Sequence, residues 1–228
     1  MIDTAELNHQ EQEIWLMTNS IKLKGNLVIP NQARGVVLFA HGSGSSRFSP
    51  RNLYVAQTLQ QSGLATLLID LLTTAEEKID RQTRQLRFDI GLLAERLVDS
   101  TKWLLQNPTT KNLKIGYFGA STGSAAALLA ATDYPDAVGA IVSRGGRPDL
   151  VGSALSRVKA PTLLIVGEKD FPAIEMNRKA FSHLQGNREM VIIPGATHLF
   201  EEAGAIDEVA RLASQWFNRY LSLSDEPN

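Results

Sequence analysis

The residues best suited to chemistry form one short run, Gly119-Ala120-Ser121-Thr122-Gly123, a serine with a glycine two positions away on either side. The apolar stretch from Ile115 to Phe118 precedes it, and a small-residue stretch from Ser124 to Ala130 follows. The spacing predicts a strand, a tight turn and a helix. In such a nucleophile elbow, small neighbours let the two chain segments approach closely enough to expose the serine hydroxyl. The start of the helix also favours negative charge as it develops. A hydroxyl is a poor nucleophile at neutral pH, so Ser121 needs a base, and the base needs a third group to orient it.

Only four histidines are available. His9 lies in a polar N-terminal segment, His41 follows an apolar run and reads as a structural residue that fixes its loop, and His183 falls in a mostly polar helix. His198 follows the last apolar run through Pro194-Gly195-Ala196-Thr197, which places it in a loop at a strand end. His198 is therefore the expected base. The acid belongs after the strand Leu163 to Val166, where Asp170 is preferred, Glu168 is its rival, and Asp149 serves only if the loops are rearranged. Pro172 also makes Asp170 a candidate helix cap. The oxyanion of an acyl-transfer intermediate needs preorganised N–H donors. Thr122 is expected to supply one, and Ser43 in the run His41-Gly42-Ser43-Gly44-Ser45-Ser46-Arg47 the other. That loop lacks the glycine and lysine spacing of a phosphate-binding loop. Arg144, in Ser143-Arg144-Gly145-Gly146-Arg147, and Arg47 are candidates for recognising an anionic substrate, because guanidinium groups bind carboxylates in bidentate fashion.

Elements must bring these residues together. Short, nearly unbroken apolar runs occur at Val36 to Ala40, Leu64 to Ile69, Ile115 to Phe118, Val138 to Val142, Thr162 to Val166 and Met190 to Ile193. Each has strand length and the composition of a strand covered on both faces. Helical patterns lie between them. Ile90, Leu93, Leu97, Thr101 and Leu104 share one face, as do Ile206, Val209, Ala210, Ala213 and Phe217. Ser49-Pro50 reads as cap and first turn of a helix running to Gly63. The alternation predicts an α/β fold, a parallel doubly wound sheet with helices on both faces. Ile14 to Met17 and Ile21 to Ile29 read instead as an antiparallel hairpin at the sheet edge. In such sheets the reactive groups gather at the carboxyl ends of the strands. The segment holding Glu76, Glu77, Asp80, Arg81, Arg84, Arg87 and Asp89 reads as a solvated, mixed-charge connection, part of which can border the pocket.

The 228 residues carry a net charge of -1 and 43% hydrophobic residues, which is ordinary for a single globular domain, here expected over residues 1–228. Nucleic-acid and anionic-membrane partners are not expected, since those need clustered excess Lys and Arg. With no cysteine, a thiolate nucleophile, a disulfide framework and a sulfur-based zinc site are excluded. The polar, acidic N-terminus lacks the pattern of a signal peptide, and a cytoplasmic location is the expectation. The reading calls for no cofactor and no metal, and leaves the oligomeric state open.

Together, the loop His41 to Arg47, the elbow Gly119 to Gly123, the run Gly167 to Asp170 and the run Pro194-Gly195-Ala196-Thr197-His198-Leu199-Phe200-Glu201-Glu202 resemble the dienelactone hydrolase-like branch of the α/β-hydrolase superfamily. The chain order serine, acid, histidine agrees with it. The resemblance covers nearly the whole chain and implies a three-layer α/β-hydrolase fold with a sheet of about eight strands and little or no lid. Dienelactone hydrolases proper carry cysteine where this chain has Ser121. The resemblance thus implies hydrolysis of a carboxylic ester, thioester or lactone through an acyl-serine intermediate. Acyl transfer, peptide cleavage and a non-catalytic ligand-binding role on the same fold are the alternatives.

Overall fold

In the computed structural model, which describes residues 9–222, the strands form one mixed eight-stranded sheet. They are β1 (His9–Thr18), β2 (Ile21–Pro30), β3 (Gly35–Ala40), β4 (Ala65–Ile69), β5 (Lys114–Ala120), β6 (Val138–Arg144), β7 (Thr162–Gly167) and β8 (Arg188–Ile193). Their spatial order is β1-β2-β4-β3-β5-β6-β7-β8. β1 pairs antiparallel with β2, and β2 with β4; every other pairing is parallel. This is the α/β-hydrolase arrangement, with the N-terminal hairpin added antiparallel at the edge of β4.

Six α-helices connect the strands among the described residues: α1 (Pro50–Gln61), α2 (Thr74–Thr83), α3 (Ile90–Gln106), α4 (Thr122–Ala130), α5 (Phe171–His183) and α6 (Ala205–Leu221). α1 and α6 cover one face of the sheet, over a core that includes Phe39, Phe118, Val142 and Phe217. α3, α4 and α5 cover the other, over Leu38, Leu67, Tyr117 and Leu164. This division explains why β3, β4 and β7 are apolar apart from Thr66 and Thr162: every residue of each is buried. At the edge the pattern changes, and in β1 Ile14, Leu16 and Thr18 turn inward while Trp15 and Met17 are exposed. One covered face demands alternation; two demand continuous hydrophobicity.

The caps follow the sequence closely. Ser49 accepts the Asn52 N–H at the start of α1, as its position before Pro50 predicts. Two elements were not expected. The mixed-charge segment folds as α2, opened by a capping box in which Thr73 and Glu76 satisfy each other's backbone N–H groups. Pro148–Arg157 forms 3-10 turns broken at Gly152. Among the described residues, no helix is long and apolar enough to cross a membrane.

Candidate active site

Ser121 stands between β5 and α4 with φ 50° and ψ -121°. A non-glycine residue rarely adopts a positive φ, and such strain persists only where the surroundings enforce it. The two flanking glycines show how this turn is enforced. A Cβ at Gly119 would lie 2.3 Å from the Ser124 Cα, and one at Gly123 would lie 2.3 Å from the Ala40 carbonyl oxygen. The helix, the strand before it and the neighbouring strand thus meet at distances that no side chain permits. Hydrogen bonds complete the restraint. The Ser121 N–H donates to the Arg144 carbonyl at 3.2 Å, and the Ser121 carbonyl accepts from Arg147 N–H and from the Ser124 hydroxyl.

His198 lies in the loop between β8 and α6, where its Nδ1 meets Asp170 Oδ2 at 2.6 Å. Asp170 caps α5 at the same time, accepting the Ala173 N–H at its other oxygen. The cap and the contact with His198 are therefore two uses of one carboxylate. Glu168 points elsewhere. Its Oε2 accepts the Gly195 N–H at 2.7 Å, and Glu202 accepts the Thr197 N–H at 3.1 Å, so both acids shape the loop that carries His198. Asp149 forms an ion pair with Arg147. The imidazole packs on Gly145: a Cβ on that residue would lie 3.6 Å from His198 Cε1, and Gly145 directly follows the residue whose carbonyl holds Ser121. Among the described residues, the Ser121 hydroxyl makes no hydrogen bond to His198, a contact that often tightens only when substrate binds.

The β3 loop reaches the elbow from the other side, with Ser43 Oγ 3.0 Å from Thr122 Oγ1. His41 anchors this loop. Its Nε2 accepts the Leu71 N–H at 3.0 Å, which leaves Nδ1 protonated to donate to the Gly42 carbonyl at 2.9 Å. Burial outweighs the favourable contacts and holds its pKa below the usual imidazole value. His183 is exposed at the end of α5, with Nδ1 against the Lys179 carbonyl; His9 opens β1.

Beside Ser43 and Thr122 lies a cavity whose walls include Leu71, Leu72, Leu93, Glu77 and Arg87. Arg87 is fixed by Asp80, which accepts from both its backbone N–H and its Nε. Burial alone would raise the Asp80 pKa, but the Arg87 bonds together hold it below the ordinary carboxylate range. Glu77, Asp80, Arg81 and Arg87 place part of the mixed-charge connection at the edge of this cavity, as the sequence reading allows. Arg47 requires a correction. Its guanidinium is committed to Asp70 of the β4 loop, to Asn26 at 2.7 Å and to Glu13 at 3.3 Å. It ties loop to sheet and has little left for a substrate.

Residues 23–225 match the family described as "Dienelactone hydrolase family". The chain belongs to this family. A solved structure of a dienelactone hydrolase from Anabaena variabilis is 65% identical with a TM-score of 0.92, and the match covers 93% of this chain and 99% of that one. Est1E from Butyrivibrio proteoclasticus has the same fold at 15% identity, with a TM-score of 0.77 over 91% of this chain and 98% of its own. A Mycobacterium tuberculosis protein described as a "Putative phosphoribosyl transferase" is 51% identical over 212 residues, 93% of this chain but 47% of that protein. The chain thus spans about half the length of the curated relatives it matches. Membership of the dienelactone hydrolase family supports a hydrolase.

Proposed function

We propose that this member of the family is a serine hydrolase that cleaves a carboxylic ester, thioester or lactone of a small molecule through an acyl-serine intermediate. The observation that carries the reading is the 2.6 Å bond from His198 Nδ1 to Asp170, on a loop packed against Gly145 beside a strained Ser121. With Nδ1 donating to Asp170, the lone pair of Nε2 is left to take the serine proton. Oγ then attacks the substrate carbonyl, and the Ser43 and Thr122 N–H groups hold the oxyanion. The imidazolium returns the proton to the leaving oxygen or sulfur, giving the acyl-serine. Water, deprotonated by the same imidazole, releases the acid. The Thr122 N–H suits this role because it opens α4, where the first N–H groups have no partner inside the helix. Arg144 remains the candidate for recognising an anionic substrate.

The name of the mycobacterial relatives belongs to proteins of which this chain matches less than half. Phosphoribosyl transfer is therefore not part of the proposal. Turnover of short p-nitrophenyl esters tests the reading: the protein should release p-nitrophenol steadily, and Ser121→Ala should lower the rate by about 10³-fold or more. A wild-type chain that folds yet cleaves no such ester, or a Ser121→Ala variant with full activity, would overturn it.

A further inference from the structure

Asn177 lies midway along α5 and is fully buried. Its Nδ2 donates to two carbonyls, that of Ala173 one turn earlier at 2.8 Å and that of Gly146, 31 positions away in the loop after β6, at 3.0 Å. Both neighbours are acceptors, so the nitrogen of the amide must face them and the oxygen must face away. That oxygen, Oδ1, is buried and accepts no hydrogen bond among the described residues. A half-bonded amide in a core is costly, and leucine suits a buried helix interior better. What asparagine offers here is on the donor side. The donor bond that leaves α5 goes to Gly146.

Gly146 sits between the two residues that clamp the nucleophile turn. Arg144 accepts the Ser121 N–H through its carbonyl, while the Arg147 N–H donates to the Ser121 carbonyl and, at 3.1 Å, to the Ser124 hydroxyl. That hydroxyl donates in turn to the Ser121 carbonyl. Gly145, the remaining residue of the loop, lies under the His198 ring. The loop has no slack: a Cβ on Gly146 would lie 2.0 Å from Ser143 Oγ and 2.4 Å from Ser124 Oγ. Displacement of Gly146 is therefore passed to both holds on Ser121, whose positive φ persists only while its surroundings enforce it. The helix matters as well. Asp170, which meets His198, caps α5 about two turns before Asn177. One rigid helix thus carries both the acid against His198 and the amide that holds the loop behind Ser121.

We propose that Asn177 is a positioning residue for the nucleophile: by holding the Gly146 carbonyl, it fixes from α5 the loop that clamps Ser121 at both of its backbone groups. It touches no substrate and acts through Arg144 and Arg147. Its catalytic meaning rests on the serine hydrolase reading; the restraint on the loop does not.

Two measurements on Asn177→Leu separate these. The substitution keeps the side chain's approximate size and removes its donors. Hydrogen exchange over a peptide spanning residues 119–150, read by mass spectrometry, should quicken about tenfold or more, while peptides of α6 keep the wild-type rate. With p-nitrophenyl esters, kcat should fall about tenfold or more with KM within about twofold of wild type, because the loss is one of alignment and not of substrate binding. Phe217→Ala, in the layer on the other face of the sheet, is the control: it loses stability and keeps kcat. If Asn177→Leu does not fold, Asn177→Ser replaces it; its hydroxyl can return to the Ala173 carbonyl but stops one bond short of Gly146. Unchanged exchange in the folded variant, or faster exchange with kcat intact, would overturn the assignment. Faster exchange in a chain whose wild type cleaves no ester would retain the restraint and remove the hydrolase reading.

Discussion

Ser121 concentrates the backbone strain of the site, since its positive φ is held by glycine contacts and by hydrogen bonds on both sides. Ser121→Gly removes the Cβ that makes this conformation costly and should stabilise the fold by about 1 kcal/mol while ending turnover. A urea midpoint that falls in this variant would show that the serine is not strained. Asp170 and Glu168 are separated by their partners. Asp170→Asn should lower kcat by about 10⁴-fold, because it disturbs the tautomer of His198. Glu168→Gln keeps an acceptor oxygen for the Gly195 N–H, and should cost less than about tenfold. The reverse ranking would make Glu168 the orienting acid. Ser121 and His198 were legible because a local motif and a shortage of histidines left few choices. Arg47 was misleading because Asp70, Asn26 and Glu13 reach it from distant segments, which spacing does not reveal.

At the scale of elements, the site depends on loops locked to one another at the carboxyl edge of the sheet. His41 joins the loops after β3 and β4 as a buried neutral imidazole. Its folded pKa lies below the ordinary value, so the unfolded chain binds the extra proton first. Stability should therefore fall as pH drops below the usual imidazole pKa of about 6.5, until the lower folded pKa is reached. Thermal midpoints between pH 5 and 7 should slope less in His41→Asn than in the wild type; equal slopes would remove His41 as the cause. The strands and most helices were readable from period and caps. α2 was not, because its only buried residue is the charged Asp80. A helix held by a capping box and ion pairs leaves no apolar stripe to find, although Thr73 and Glu76 carried its start signal.

Across the whole molecule, two helical layers clamp the sheet so that four strand-end loops converge on one edge. Phe217 of α6 is fully buried in the layer formed with α1. Phe217→Ala should cost about 3–5 kcal/mol in chemical denaturation, yet leave kcat/KM per folded molecule near the wild-type value. A large fall in kcat/KM without loss of stability would tie that layer directly to the chemistry. The layers were legible because continuous and periodic hydrophobicity report how many faces an element covers; the shape of the cavity beside Ser43 was not, because its walls come from the loops after β3 and β4, the α2 segment, α3 and α4. The central claim is that Ser121 is the activated nucleophile of this assembly. Reaction with a fluorophosphonate, followed by mass mapping of the peptides, tests it most directly. The expected result is one adduct, on Ser121, absent in Ser121→Ala and formed far more slowly in His198→Ala. An unlabelled wild type, or an adduct that persists in Ser121→Ala, would contradict it.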